Sequence, residues 1–275
     1  MSDDFHTAGE ARHRFRPFSE FLVALRFLTR LPVPFLRTLD PPPLQAAMGM
    51  FPLAGALVGA LAGVVLVLSK HIGLPEFFCA ALAIAVAALI TGGLHEDGLS
   101  DTVDGFGGGR TRDQRLEIML DSRVGAYGAL ALCIVTLGRA SLLISLLEME
   151  PLDTILLLTS AAAFSRALMV DFMWATKPAR HDGLSAAAGR PSRNTTLLAL
   201  AIGGFLAGIA ASYVLTPIAS LAAMAGAGMT LAAVRALSIR KIGGQTGDTI
   251  GASQVLTEIT MLAIYSATLS LPYFG

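Results

Sequence analysis

Asp97, Asp101 and Asp104 follow directly on an apolar run, inside the segment Gly92-Gly93-Leu94-His95-Glu96-Asp97-Gly98-Leu99-Ser100-Asp101-Thr102-Val103-Asp104-Gly105. In a helix the spacing i, i+4, i+7, at ~100° per residue, keeps the three carboxylates within an arc of roughly 60°. Three anions on one stripe repel one another unless a cation sits among them, and this segment offers no basic partner four residues away. Oxygen-only donors suit a hard divalent ion, so Mg²⁺ serving a phosphate substrate is the expectation. Gly98 and Gly105 each cost about 1 kcal/mol relative to Ala in a helix interior. They read as places where backbone must come close to something, or where the helix is interrupted. His95 lies off the stripe and reads equally as a general base or as a polar residue at a membrane interface. The plainer reading of the whole patch is a solvated helix end paired with nearby arginines.

Three further stretches could act on phosphate. Gly105-Phe106-Gly107-Gly108-Gly109-Arg110 could cradle it through backbone N–H groups beside Arg110, or could be a flexible turn before a helix starting near Thr111. It matches neither the Walker A pattern nor GxGxxG. In Asp121-Ser122-Arg123-Val124-Gly125, Asp121 could add a ligand and Arg123 a bidentate grip on phosphate, or the two could form a local ion pair. Arg240-Lys241-Ile242-Gly243-Gly244-Gln245-Thr246-Gly247-Asp248 joins cations, amide and carboxylate on mobile backbone, with Lys241, Gln245 and Asp248 the candidate contacts. Arg180 belongs to a fourth basic stretch, 177–193.

The elements that must carry these residues are membrane helices. Of 275 residues, 54% are hydrophobic and 15% charged, against ~25% charged in ordinary soluble domains. Mean hydropathy is +0.65. The spans expected by hydropathy are 47–68, 75–94, 126–147, 153–173, 195–213, 218–238 and 255–271. The fifth and sixth form a helical hairpin or one broken passage about Thr216-Pro217. The fold class is therefore all-α, a polytopic bundle of about seven spans. A cytoplasmic and interfacial segment, 1–45, precedes a single membrane-embedded catalytic domain, 46–275. Within that segment 18–31 reads as an amphipathic interfacial helix, ended by Pro32, Pro34 and the Pro41-Pro42-Pro43 run. Cys79 and Cys133 read as small buried hydrophobes without a disulfide framework. A removable signal peptide is not expected. A net charge of +0 gives no reason to expect nucleic acid.

Positive charge alternates between loops. Arg12, Arg14, Arg16, Arg26, Arg30 and Arg37 precede the first span; Arg110, Arg112, Arg115 and Arg123 follow the second; Lys177, Arg180, Arg190 and Arg193 follow the fourth; Arg240 and Lys241 follow the sixth. The intervening loops offer only Lys70 and an acidic trio, Glu148, Glu150 and Asp153. This alternation places the N-terminus, the aspartate patch and the glycine-rich loops on the cytoplasmic side. Within the spans, Arg139, Arg166, Asp171, Arg235 and Glu258 are expensive to bury; the last four snorkel, pair with one another or line a polar cavity, and the deeper Arg139 has no assigned role.

An acidic, metal-type patch facing arginine-bearing and glycine-rich loops is what phosphoryl or phosphodiester transfer needs. The motifs 21–34 (Phe21-Leu22-Val23 through Pro34), Phe51-Pro52-Leu53-Ala54-Gly55, 92–109, 115–125 and 241–248 occur in an order that resembles the cobalamin synthase family, the adenosylcobinamide-GDP ribazoletransferases. The Arg166 and Gly183-Leu184 regions agree more loosely. The resemblance implies a Mg²⁺-dependent, multi-pass transferase of the bacterial inner membrane. Its substrates would be adenosylcobinamide-GDP and α-ribazole or α-ribazole 5′-phosphate, and its products adenosylcobalamin or its phosphate, and GMP. On that reading Asp97, Asp101 and Asp104 hold the metal and Asp104 or His95 is the base. Arg110, Arg123, Arg180 and Lys241, with Gln245 and Asp248, contact substrate. It sets no oligomeric state. A CDP-alcohol phosphotransferase is the first competitor, but Leu99-Ser100 stands where its pattern has Ala-Arg. An ion-coupled transporter with broken helices is the second, and it would want its ionisable groups at mid-membrane.

Overall fold

The computed structural model describes residues 15–33, 41–180 and 183–270. Arg12, Arg14, Pro34, Arg37 and the far end of the seventh expected span, Leu271, lie outside them. Helices dominate the described residues, and the one extended contact among them is an isolated parallel bridge between Pro178 and Gln245. The chain runs through α1 (Pro17–Leu28), α2 (Leu44–Ala47), a 3-10 turn at Met48–Met50, α3 (Phe51–His71), α4 (Glu76–Thr91), α5 (Leu94–Gly108) and α6 (Arg112–Ile118). It continues through α7 (Ala126–Leu146), α8 (Pro151–Ala175), α9 (Leu184–Ala188), α10 (Arg193–Val214), α11 (Pro217–Ile242) and α12 (Gly247–Leu269).

Among the described residues, five helical stretches are long and apolar enough to cross a membrane: Leu44–His71, Ala126–Leu146, Pro151–Ala175, Arg193–Val214 and Pro217–Ile242. Their placement follows from what each must face. The apolar stretch of α8 is 78% buried inside the protein, whereas those of α7 and α10 are only 22% buried. Leu130, Ile134 and Leu137 of α7 and Phe205 and Ile209 of α10 therefore stand outward, a surface suited to lipid rather than water. Cys133 shares that outward face and is exposed, where burial was expected; Cys79 is buried, and both are free thiols.

Two of the seven expected spans take a different form. The second does not run straight: α4 and α5 are bent by 91°. Gly92 and Gly93 both adopt φ near +70°, a conformation that costs side-chain-bearing residues roughly 1–2 kcal/mol. The apolar run thus ends at a glycine hinge, and the aspartate segment leaves it nearly at right angles. For the last span, α12 begins at Gly247 rather than 255 and is not among the helices that qualify by hydropathy. Thr249, Ser253, Gln254, Thr257 and Glu258 make it polar, and all of them are buried. A helix packed against protein on all sides has no need of an apolar circumference.

Small residues set the closest contact in the bundle. A Cβ added at Gly55 or Gly59 of α3 would fall 2.4 Å from the carbonyl oxygen of Ala162 or 2.5 Å from that of Leu158, both on α8. Spaced by four, these glycines let the two backbones touch, as small-xxx-small faces do in membranes. At the N-terminal end, α1 joins the main core through Ala24, Leu25 and Leu28, while Phe18 is exposed.

The charged residues inside the spans pair with one another. Glu258 of α12 accepts from Arg139 of α7 and, at 2.5 Å, from Arg166 of α8. Arg139 also reaches Glu96 of α5 at 3.2 Å, and Gln254 donates to Glu258 at 2.6 Å. Asp171 and Arg235 form a separate pair between α8 and α11. Two buried guanidinium groups are tolerable only with the carboxylate between them, because an unpaired buried charge costs several kcal/mol. Replacing Glu258 by Ala should therefore destabilise the detergent-solubilised protein by about 3–5 kcal/mol, read as a large fall in Tm. Replacing Glu76, whose 3.2 Å pair with Lys70 is half exposed, should cost under about 1 kcal/mol.

Candidate active site

The three aspartates lie on α5 as the helical spacing requires, and they differ in depth: Asp97 is exposed, Asp101 partly buried and Asp104 buried. Asp104 is tied to the start of α7, accepting from the backbone N–H of Gly125 at 2.8 Å and of Gly128 at 2.9 Å. It caps N–H groups that have no partner within their own helix and fixes the rotation of α5. That leaves Asp97 and Asp101 as the accessible carboxylates of the stripe.

A fourth carboxylate comes from α12. A Cβ at Gly98 would stand 2.8 Å from the carbonyl oxygen of Asp248 and 3.1 Å from its Cα, so the first turn of α12 rests directly on α5. The α12 start is fixed by a capping box, in which Thr246 and Thr249 exchange side-chain-to-backbone hydrogen bonds. Gly98 is thus a point of close backbone approach, as its position suggested, and the approaching group is another helix. Asp97, Asp104 and Asp248 all act on Asp101 as like charges, with Arg180 opposing them. Arg180 lies 3.7 Å from Asp248, and its buried Nη1 has no hydrogen-bond partner among the described residues. Thr246 donates to Asp248 at 3.1 Å.

Two chambers meet at this place. One, of about 630 Å³, has apolar walls from Phe27, Phe51, Met169 and Met173, with His95, Asp97, Arg180 and Asp248 among its polar groups. The other, of about 1060 Å³, is lined by Arg30, the Gly92-Gly93 hinge, Glu96 and Ser100. Phe27, Leu94 and Asp97 line both. Asp97 therefore stands where a mainly apolar chamber adjoins a larger groove.

The remaining expected residues take different places. His95 is 1% exposed and its Nε2 has no partner among the described residues. It lines the apolar chamber and also a smaller cavity of about 500 Å³ beside Arg139, Arg166 and Glu258. Gln245 is buried; its side chain accepts from Ser185 at 2.6 Å, and its backbone pairs with Lys177 and Ala179. It shapes the wall through Ser185, which lines the chamber. Lys241 donates to the Phe106 carbonyl at 3.4 Å, at the far end of α5. Arg123 is exposed and grips Asp121 through both carboxylate oxygens, which holds that carboxyl down at about 2. The local ion pair is thus present. Arg110 is exposed and lines neither chamber.

The glycine run is helical to Gly108 and packed, with Arg115 backbone close against both Gly105 and Gly109. It holds α6, whose start carries the Thr111–Gln114 capping box, rather than forming an open cradle. Arg112 and Arg115 of α6 donate to the carbonyls of Ile242 and Lys241 at the end of α11. Sequence reasoning missed Arg30 as a groove residue, together with Phe51, Met169, Met173 and Ser185. The apolar residues among them carry no chemical signal until the fold places them beside the carboxylates.

Among the described residues no three His, Cys, Asp or Glu side chains are already gathered as a metal site. Asp97 and Asp101 of α5 instead offer two carboxylates, with Asp248 of α12 near Asp101. That suits Mg²⁺, which takes one or two carboxylates and completes its shell with waters and substrate phosphate.

The family model for cobalamin-5-phosphate synthase matches residues 20–266. An adenosylcobinamide-GDP ribazoletransferase of Azorhizobium caulinodans is 46% identical over 246 residues, covering 87% of this chain and 92% of the relative. That of Mesorhizobium japonicum is 44% identical over 248 residues, covering 90% and 93%. That of Brucella ovis is 41% identical over 247 residues, covering 87% and 93%. No solved structure matches the chain.

The Gly98 contact yields a direct test. A methyl there meets backbone that must shift, so Gly98→Ala should lower stability by about 1–3 kcal/mol. Gly138→Ala on α7, with nothing within 4 Å of the added Cβ, should raise it by up to about 1 kcal/mol. Thermal melts of both variants in one detergent measure the difference.

Proposed function

The chain belongs to the cobalamin-5-phosphate synthase family, and we propose that it joins adenosylcobinamide-GDP to α-ribazole or α-ribazole 5′-phosphate. The products are adenosylcobalamin or its 5′-phosphate, and GMP. One observation carries the reading: carboxylates of α5 and α12 converge, with Arg180 beside them, where an apolar chamber meets a wide groove.

The reaction needs a ribose hydroxyl to attack the cobinamide-side phosphorus. A P–O bond forms to that hydroxyl oxygen, the bridging P–O bond to GMP breaks, and the hydroxyl proton leaves to a base. Asp97 and Asp101 would hold Mg²⁺; when bound, the ion offsets charge on the pyrophosphate oxygens. Arg180, with one guanidinium nitrogen unpartnered among the described residues, offsets charge on the departing phosphate. Asp248 lines the apolar chamber and accepts from Thr246; its carboxylate takes the hydroxyl proton. Asp104 acts as a positioning residue, since both its oxygens hold the start of α7.

The alternation of basic loops in the sequence supports a cytoplasmic-facing site in the bacterial inner membrane. It also supports the finer count of seven spans with the N-terminus inside. Tagged termini probed from each side of the membrane would report this orientation.

Purified protein should release GMP from adenosylcobinamide-GDP only when α-ribazole is present, and excess chelator should abolish the release. A protein indifferent to chelator would lose the metal assignment. Metal-bound charge stabilisation is worth several kcal/mol, so Asp101→Asn should lower turnover by about 100-fold or more with an unchanged melting profile. A CDP-linked lipid offered in place of the corrinoid should give no nucleoside monophosphate.

A further inference from the structure

We propose that the apolar chamber between α1, α3, α5, α8, α9 and α12 is the seat of the benzimidazole ring of α-ribazole, and that His95 of α5 donates to that ring's free imine nitrogen. The assignment rests on the function proposed above and divides its two substrates between the two chambers. A benzimidazole riboside is a flat, apolar bicycle bearing two methyl groups. Its ring edge offers one free hydrogen-bonding atom, the imine nitrogen.

The chamber has the matching chemistry. The room it offers a water-sized sphere is about 80 Å³, between walls that are mainly apolar. Phe27 and Phe51 stack on each other, with centroids 5.7 Å apart and planes 14° from parallel, and both line the chamber. Met169 and Met173 supply thioethers that adapt to an aromatic ring and contact it favourably. His95, 1% exposed, also lines this chamber, and its buried Nε2 has no hydrogen-bond partner among the described residues. An unpaired buried nitrogen is costly, and an imine acceptor on the ring relieves it.

The other occupants fit worse. Guanine presents donors and acceptors around its edge and would leave most of them unpaired against Phe51, Met169 and Met173. A corrin carries a fringe of amide side chains and needs the open groove, where Arg30, Glu96 and Ser100 offer polar contacts. Asp97 and Asp248 share the chamber with His95, so a ring seated there places its ribose hydroxyls beside the carboxylates.

The test is binding of α-ribazole alone, read by fluorescence of Trp174, the single tryptophan of the chain and the neighbour of Met173. Removing both methyls from the base should raise Kd about 15-fold, at ~0.8 kcal/mol per buried carbon. Ala188, buried at 4% exposure, lines the chamber. Ala188→Leu should raise Kd for α-ribazole at least about tenfold yet bind the unsubstituted benzimidazole riboside better than the dimethyl form. Its KM for adenosylcobinamide-GDP should be unchanged. Met173→Ala, which opens space instead of filling it, should weaken both ribosides alike. Wild-type protein should prefer α-ribazole to the indole analogue lacking the imine nitrogen by about tenfold, and His95→Phe should erase that preference.

Kd values insensitive to the methyls and to Ala188→Leu, in protein that still releases GMP, would overturn the chamber assignment and leave the function standing. Methyl-sensitive binding without GMP release would do the reverse. An indole analogue bound as tightly as α-ribazole by wild-type protein would remove His95 from the ring edge.

Discussion

A carboxylate held between two guanidinium groups in the interior of an apolar bundle is the constraint from which the site is built. Glu258 lies between Arg139 and Arg166, and Arg139 extends the chain of charge to Glu96 on α5. Four helices, α5, α7, α8 and α12, are thereby joined through groups that none can withdraw without stranding a charge away from water. Hydrophobic burial alone gives membrane helices little reason to choose one packing over another, because lipid is as apolar as a neighbouring helix. Buried ion pairs and hydrogen bonds supply the choice. Gln254 and Ser165 complete it by occupying the remaining positions around Glu258.

Above that network, α5 is fixed in three independent ways. The Gly92-Gly93 hinge sets its direction, nearly perpendicular to α4. Gly98 sets its separation from α12, by leaving no atom between the helix and the backbone of Asp248. Asp104 sets its rotation by accepting the first N–H groups of α7. With all three satisfied, Asp97 lines the chamber that Asp248 and Arg180 also line, and Asp101 lies close enough to feel both charges. Like charges brought together by such constraints, rather than by mutual attraction, form a site waiting for a counter-charge.

Much of this was legible in the chain. The carboxylate stripe follows from helical spacing alone, and the membrane class follows from composition. That Arg166, Asp171, Arg235 and Glu258 need partners, a cavity or a reach to the interface follows from the cost of burying each alone; which partner each takes does not. What could not be read was contact between elements distant in sequence. Asp248 and Gly98 are 150 positions apart, and nothing local says they touch. Arginines in cytoplasmic loops look alike in sequence, yet Arg112 and Arg115 are committed to carbonyls at the end of α11 while Arg180 keeps a nitrogen without a partner among the described residues. The hinge was a nearer miss. A glycine pair at the end of an apolar run marks a break, but hydropathy averaged over a long window runs through it. The polarity of α12 misled in the opposite sense, since hydropathy measures contact with lipid and the polar residues of this helix are buried against protein.

The position of Asp97 on a wall common to both chambers has a kinetic meaning. An activated phosphate anhydride is at permanent risk of hydrolysis, and solvent is always the more abundant nucleophile. When the smaller compartment is plugged by an oily ring, the molecules of water that would compete are displaced by the very reactant meant to win. Selectivity for the alcohol over solvent then comes from occupancy, without a moving lid, and a half-loaded enzyme is the state in which the anhydride is most exposed to waste.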